Sequence, residues 1–205
     1  MPNAPMPKVG GIVLCGGQSM RMGRPKAWLP FGSELMLPRV VRLLGEVMDQ
    51  IVVVAARDQE VPPLPSAVPI IRDEEKGRGP LQGLAGGLTA LRGRVDAAYL
   101  SSCDVPFLRP AFVRRLITLL GNQLICVPKV ADHFHPLAAI YRVEIVASVM
   151  RLLAENRLRP FFLFEMVPTR VVEAMELLDV DPSLQSLQNL NTPEDYQAAL
   201  KLGEL

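Results

Sequence analysis

Apolar residues along this chain fall into two alternating patterns. Compact runs come first: Ile12-Val13-Leu14 within Val9 to Cys15, Ile51-Val52-Val53-Val54-Ala55, Ala97-Ala98-Tyr99-Leu100, Leu124-Ile125-Cys126-Val127 and Leu137-Ala138-Ala139-Ile140-Tyr141. A run that is apolar at every position suits a strand buried on both faces, as in a parallel sheet. Between these runs apolar residues recur at helical spacing. Leu37, Val40, Val41, Leu44 and Met48 form one such set, and Val113, Leu116, Ile117 and Leu120 another. Pro80 suits the first turn of a helix through Leu88 and Leu91. Val143 to Ala154 and Pro193 to Leu202 also read as helices, and the 155–190 region predicts a helix followed by a strand. Strand and helix in alternation predict an α/β fold with a mostly parallel sheet.

Composition narrows the class. A length of 205 residues suits one domain, and 49% hydrophobic against 21% charged residues supplies a sizeable core. Twenty-two basic and twenty-one acidic residues leave a net charge of +1, without the basic excess that a nucleic-acid binder needs. The three cysteines, Cys15, Cys103 and Cys126, are far apart and form no C-x-x-C pair. They argue against a disulfide framework or a structural zinc and for a reducing cytoplasm. No apolar run reaches the roughly 18 residues of a membrane span. Residues 1–7, with three prolines, read as a loose tail ahead of a domain over 8–205. Pro62-Pro63-Leu64-Pro65 is a rigid loop, too short to separate two cores.

Candidate chemistry clusters where strands end. The first strand runs into Cys15-Gly16-Gly17-Gln18-Ser19-Met20-Arg21-Met22-Gly23-Arg24-Pro25-Lys26. Glycines there let backbone N–H groups approach a ligand closely, and three cations without an offsetting acid suit a polyphosphate. The spacing fits neither the dinucleotide fingerprint nor the P-loop, and a tight turn with surface cations stays open. Ser102-Cys103-Asp104-Val105-Pro106 follows the third strand, so Asp104 falls at the carboxyl edge of a parallel sheet, where ligands bind. It can hold Mg²⁺ against phosphate oxygens or merely cap a turn. Asp73 to Gly83 reads as a glycine-rich loop ending at a helix N-terminus, which fits a ligand or a plain surface loop. Thr192 is a good N-cap for Pro193-Glu194-Asp195, whereas Asn189 and Asn191 alternate and face one way on an extended segment. His133 and His135 have only Asp132 as a nearby third ligand, so a structural or substrate-facing role is preferred to a transition-metal site. No G-x-S-x-G elbow supports a hydrolase.

Taken together, these segments resemble nucleotidyltransferases of the molybdenum cofactor guanylyltransferase family. Leu14 to Lys26 is similar to its L-A-G-G-x-S-x-R-M-G-x-x-K signature. Asp73 with Gly79-Pro80-Leu81-Gln82-Gly83, Cys103-Asp104-Val105-Pro106-Phe107, Pro136 to Tyr141 and Asn189 to Asp195 resemble its later elements in the same order. The resemblance implies a single three-layer α/β/α domain with a Rossmann-like, mostly parallel sheet, of the nucleotide-diphospho-sugar transferase type. It implies GMP transfer from GTP to molybdopterin or Mo-molybdopterin, with release of pyrophosphate, in the presence of Mg²⁺. Cofactor-insertion or molybdoenzyme chaperone proteins are further implied partners. Arg21, Lys26 and Asp104 are the implied catalytic residues. Leu14, Cys15, Gly16, Gly17, Ser19, Arg21, Lys26, Asp73, Gly79 and Asp104 are the implied nucleotide contacts, and Asp104 the metal ligand. Asn189, Asn191 and His135 are candidate acceptor or second-metal contacts. Two positions depart from the pattern: Cys15 replaces alanine, and Ala55-Ala56-Arg57 lacks the asparagine that relatives place before the arginine. The cytidylyl relatives, other sugar- or alcohol-phosphate nucleotidyltransferases and a non-catalytic nucleotide-binding regulator are the alternatives.

Overall fold

The computed structural model describes residues 6–16, 24–73 and 77–203. In chain order its elements are β1 (Val9–Leu14), β2 (Pro30–Phe31), β3 (Glu34–Leu35), α1 (Met36–Gly45), β4 (Ile51–Ala56), β5 (Ile70–Asp73), α2 (Gly79–Leu91), β6 (Ala97–Ser102), α3 (Pro110–Leu120), β7 (Ile125–Val130), β8 (His133–Phe134), β9 (Ala139–Arg142), α4 (Val146–Ala154), α5 (Phe161–Met166), β10 (Thr169–Glu173) and α6 (Pro193–Gly203). The main sheet runs β10-β7-β9-β6-β1-β4-β5, with β8 beside β7. β5, β4, β1 and β6 are mutually parallel, β9 is antiparallel to both of its neighbours, and β10 is parallel to β7. The chain steps outward from β1 to β4 and β5, then returns to place β6 on the other side of β1. That reversal makes the carboxyl ends of β1 and β6 the switch point of the sheet, the usual place for a ligand.

Strand alternation divides the core into two layers. Val13, Val53 and Tyr99 face one side and pack against Leu37, Val40, Leu44, Phe112, Val113 and Leu116 of α1 and α3. Ile12, Leu14, Val52 and Val54 face the other side, against Leu81, Leu84, Leu88, Val149 and Leu152 of α2 and α4. The close fit of α2 on β1 depends on two glycines. A Cβ at Gly83 would meet the Leu14 side chain at 2.7 Å, and one at Gly87 would meet Ile12 at 2.6 Å. A smaller cluster of Leu29, Phe31, Met36, Leu190 and Ala199 seats α6 on the β2–β3 hairpin.

The expected strands and helices are present, with local corrections. Residues 137–141 do not form one strand: Pro136–Ala138 is a 3-10 turn, and β9 begins at Ala139. Pro136 has no N–H to give a ladder, and its carbonyl instead accepts from the Tyr141 hydroxyl at 2.8 Å. The expected helix over 143–154 opens with a 3-10 turn and becomes α-helical at Val146. The 155–190 region does contain a helix followed by a strand, α5 and β10. β5 and the two-residue strands of β2, β3 and β8 were not expected from the pattern. Among the described residues, no helix is long and apolar enough to cross a membrane.

Candidate active site

β1 and β6 lie side by side in parallel register, with Leu14 opposite Ser102. Each strand therefore delivers its following residues to the same edge: Cys15-Gly16 from one and Cys103-Asp104 from the other. The Cys103 N–H donates to the Leu14 carbonyl at 3.0 Å, which carries the pairing one residue past the strands. Asp104 is 6% exposed. One of its oxygens, Oδ1, accepts from the Ser102 hydroxyl at 2.6 Å and from Asn189 Nδ2 at 2.8 Å. The other, Oδ2, accepts from Lys26 Nζ at 2.6 Å. Lys26 Nζ also donates to Asn191 Oδ1 at 2.9 Å.

Lys26 reaches Asp104 because Lys26–Trp28 forms a single 3-10 turn whose Ala27 is buried in the core. The asparagines arrive by a different route. Asp181 is fully buried and accepts from the Gln185 and Ser186 N–H groups at 3.2 and 2.8 Å. The Ser186 hydroxyl accepts from the Arg109 N–H at 3.0 Å, and this fixes the segment at the start of α3. The Leu190 N–H then donates to the Asp104 carbonyl at 3.0 Å while its side chain is buried under α6. With Leu190 turned inward, Asn189 and Asn191 both face the site, as alternation on an extended segment requires.

The cap of α6 completes the arrangement. The Asn191 and Thr192 N–H groups donate to Asp195 Oδ2 at 3.0 and 2.9 Å, and the Asp195 N–H donates to the Thr192 hydroxyl at 3.1 Å. These backbone donors hold the Asp195 carboxyl below the usual carboxylate range. The expected Thr192 cap is present, and it also anchors Asn191.

The other expected contacts fall into three groups. Gly17, Ser19 and Arg21 lie outside the described residues. Leu14, Cys15 and Gly16 stand at the switch point, but the Cys15 N–H is spent on the Val54 carbonyl at 2.8 Å. Its thiol is held below the usual range by a hydrogen bond with Cys103, whose own thiol the same contact and burial push up. Asp73 ends β5 opposite Ala56, and Gly79 opens α2 with a φ of +67°, a conformation that favours glycine. The His135 backbone N–H donates to the Pro128 carbonyl at 2.9 Å. Burial holds that imidazole below its ordinary value. Ser102 was not foreseen. Its segment was expected to follow the third strand, whereas Ser102 closes β6, and from there its hydroxyl donates to Asp104 Oδ1.

Chemically, the cluster is a cation beside a carboxylate, with a hydroxyl and two carboxamides as neutral partners. Among the described residues no group of three or more His, Cys, Asp or Glu side chains could hold a metal ion. A site here would offer a single carboxylate with oxygen donors around it. That donor set suits a hard divalent cation completed by substrate phosphates rather than an all-protein cage.

Comparison with known proteins places this chain in a family. Molybdenum cofactor guanylyltransferase from Desulfosudis oleivorans is 30% identical over 205 residues, covering 98% of this chain and 100% of its own length. Molybdopterin-guanine dinucleotide biosynthesis protein A from Archaeoglobus fulgidus shares the fold with a TM-score of 0.78 at 23% identity, over 95% of this chain and 98% of its own. The manganese complex of Rv0371C from Mycobacterium tuberculosis has a TM-score of 0.64 at 20% identity, over 95% and 98% of the two chains. The MobA-like NTP transferase domain matches residues 11–169, and the chain belongs to that family.

Proposed function

We propose that this chain transfers GMP from GTP to molybdopterin or Mo-molybdopterin, forming the guanine dinucleotide cofactor and pyrophosphate. One observation carries the reading: Lys26, Asp104, Asn189 and Asn191, from three separate stretches of sequence, meet at the switch point of the sheet. The guanylyltransferase name of the 30% identical relative supplies the substrates.

In the reaction an acceptor phosphate oxygen attacks the α-phosphorus in line, and the bond to the β-phosphate oxygen breaks. The nucleophile is already ionised near neutral pH, so no general base is required. The difficulty is repulsion between two anions, and fixed cations with correct placement relieve it. The glycine-rich sequence after β1 cradles the triphosphate, and Arg21 counters the β- and γ-phosphates. Lys26 leaves Asp104 when the triphosphate arrives and offsets charge that grows on the α-phosphate. Asp104, with Ser102 and Asn189 holding Oδ1, is the residue that would hold Mg²⁺. When bound there, Mg²⁺ neutralises phosphate charge and orients the leaving pyrophosphate. Asn191, which accepts from Lys26, would follow that ammonium or meet the acceptor. Three free, buried cysteines fit work in a reducing cytoplasm, and the product would pass to cofactor-insertion or chaperone proteins.

Calorimetric titration with GTP, CTP, ATP and NAD, each with and without Mg²⁺, tests the proposal. Mg²⁺-dependent binding that favours GTP is expected. A preference for CTP would move the enzyme to the cytidylyl branch, and absence of triphosphate binding would overturn the nucleotidyltransferase reading.

A further inference from the structure

The glycine-rich sequence begins at Cys15, just after β1, and ends at Lys26, which opens a 3-10 turn, and both of these described ends are tied to one short turn. On one side, Gln59 Nε2 donates to the Cys15 carbonyl at 2.7 Å and lies 3.4 Å from its Sγ. On the other, Trp28 Nε1 donates to the Glu60 carbonyl at 3.2 Å. The turn does not rely on its own backbone alone. Its Gln59 N–H donates to the Ala56 carbonyl at 3.1 Å, and Gln59 Oε1 accepts from the Ala56 N–H at 3.3 Å. Arg72 on β5 then donates through Nη1 to the Ala56 carbonyl at 3.2 Å and to the Gln59 carbonyl at 2.5 Å. The arginine thus fixes the turn, and the turn fixes the two ends.

What stands at those ends matters. Cys15 is the residue before Gly16, and Trp28 shares one 3-10 turn with Lys26. Pro25, Trp28, Asp58, Gln59 and Glu60 also line one surface cleft. None of the three side chains Gln59, Trp28 and Arg72 is hydrogen-bonded to Asp104, Asn189 or Asn191, so they stand behind the reacting groups and not among them.

We propose that Arg72, Gln59 and Trp28 are positioning residues: the 56–60 turn sets the spacing between the backbone at Gly16 and the Lys26 ammonium, and so the fit to the triphosphate. The proposal rests on the nucleotidyltransferase reading. It separates two effects. Gln59 acts through the start of the glycine-rich sequence, which binds substrate and transition state alike. Trp28 acts through Lys26, which answers charge that grows only in the transition state.

The test is a variant series on the full chain, with the triphosphate that the wild-type protein prefers. Gln59→Met is expected to raise its Kd about five- to tenfold with kcat within twofold, the scale of one lost hydrogen bond. Trp28→Phe keeps the aromatic packing and is expected to lower kcat about fivefold with Kd within twofold. Arg72→Met should reproduce both changes, and Gln59→Met added to Arg72→Met should weaken binding no further. A merely structural role would lower the melting temperature of the free protein without this division between Kd and kcat. Loss of affinity in Arg72→Met with Gln59→Met and Trp28→Phe at wild-type values would overturn the proposal, because Arg72 would then meet the phosphates directly. Additive losses in the double variant would overturn it as well. Failure of the wild-type protein to bind any triphosphate would appear before any variant is made, and it would sink the functional reading itself.

Discussion

The Lys26–Asp104 pair sets a quantitative expectation. The ammonium and Oδ2 are 2.6 Å apart, with the two side chains 19% and 9% exposed. At an effective dielectric near 20 their attraction is about 6 kcal/mol. Withdrawing Asp104 from water opposes most of that, and breaking such a pair by removing one partner costs about 3–5 kcal/mol where burial is complete. Here Oδ1 keeps its bonds from Ser102 and Asn189. Lys26→Met should therefore fall near the lower end, at about 3 kcal/mol. Asp104→Asn removes the stranded charge, so the double variant should recover much of that loss, with a coupling energy of about 1.5–2 kcal/mol. Urea unfolding of the four proteins at pH 7 with EDTA measures it. Single effects that add to within about 0.5 kcal/mol would refute the pairing. The same geometry predicts a metal effect. In the wild-type protein an added cation competes with the ammonium for Oδ2, whereas in Lys26→Met it does not. Mg²⁺ should raise the melting temperature of Lys26→Met more than that of the wild type, and should leave Lys26→Met/Asp104→Asn unmoved. Turnover of Lys26→Met should fall by about 10²–10³, the scale for one removed electrostatic stabiliser.

Other outcomes follow from the packing and the titrating groups. Gly87→Ala drives a methyl into the fully buried Ile12 and should destabilise by about 1–2 kcal/mol, overpacking exceeding the gain in helix propensity. Gly86→Ala meets only Ile71 at 3.9 Å and should stabilise by up to about 1 kcal/mol; thermal melts of both would expose an error in the seating of α2. Burial holds the His135 imidazole below its ordinary value of 6.5, so the unfolded chain takes up the proton first. Its contribution is intact above pH 6.5 and lost as pH falls below that value. His135→Gln should flatten the stability profile between about pH 7 and 5, and equal slopes for the two proteins would contradict this. Burial pushes the Cys126 thiol up to about 12, so native protein at pH 8 should leave it unalkylated by iodoacetamide, as peptide mass mapping would show.

How much of this was legible beforehand depends on the range over which each feature is determined. Lys26, Asp104, Asn189 and Asn191 were visible because each stands at a break in the apolar pattern, although a local turn or cap also accounts for Lys26 and Asp104 and only the asparagines lack such an explanation. That they touch was not visible, since 78 residues separate Lys26 from Asp104 and 165 separate it from Asn191. Strand order and register close those gaps, and neither is written into the local pattern. The same limit explains Ser102, which stands in the Asp104 segment of the sequence but whose place opposite Leu14 and bond to Asp104 come from register. It also explains the 56–60 turn, whose role comes from side chains that cross between β4, β5 and the 3-10 turn after the glycines. Leu137 and Ala138 depart for a local reason: apolarity alone extends the strand over them, whereas they belong to the 3-10 turn that Pro136 opens. His135 is offered by its residue type alone, and only its backbone is fixed, by the bond to the Pro128 carbonyl. Residue chemistry therefore named the cation, the carboxylate and the amides, while topology chose their partners. In the free protein it also ties the Lys26 ammonium to both Asp104 and Asn191, so the cation is held at the switch point before any phosphate arrives.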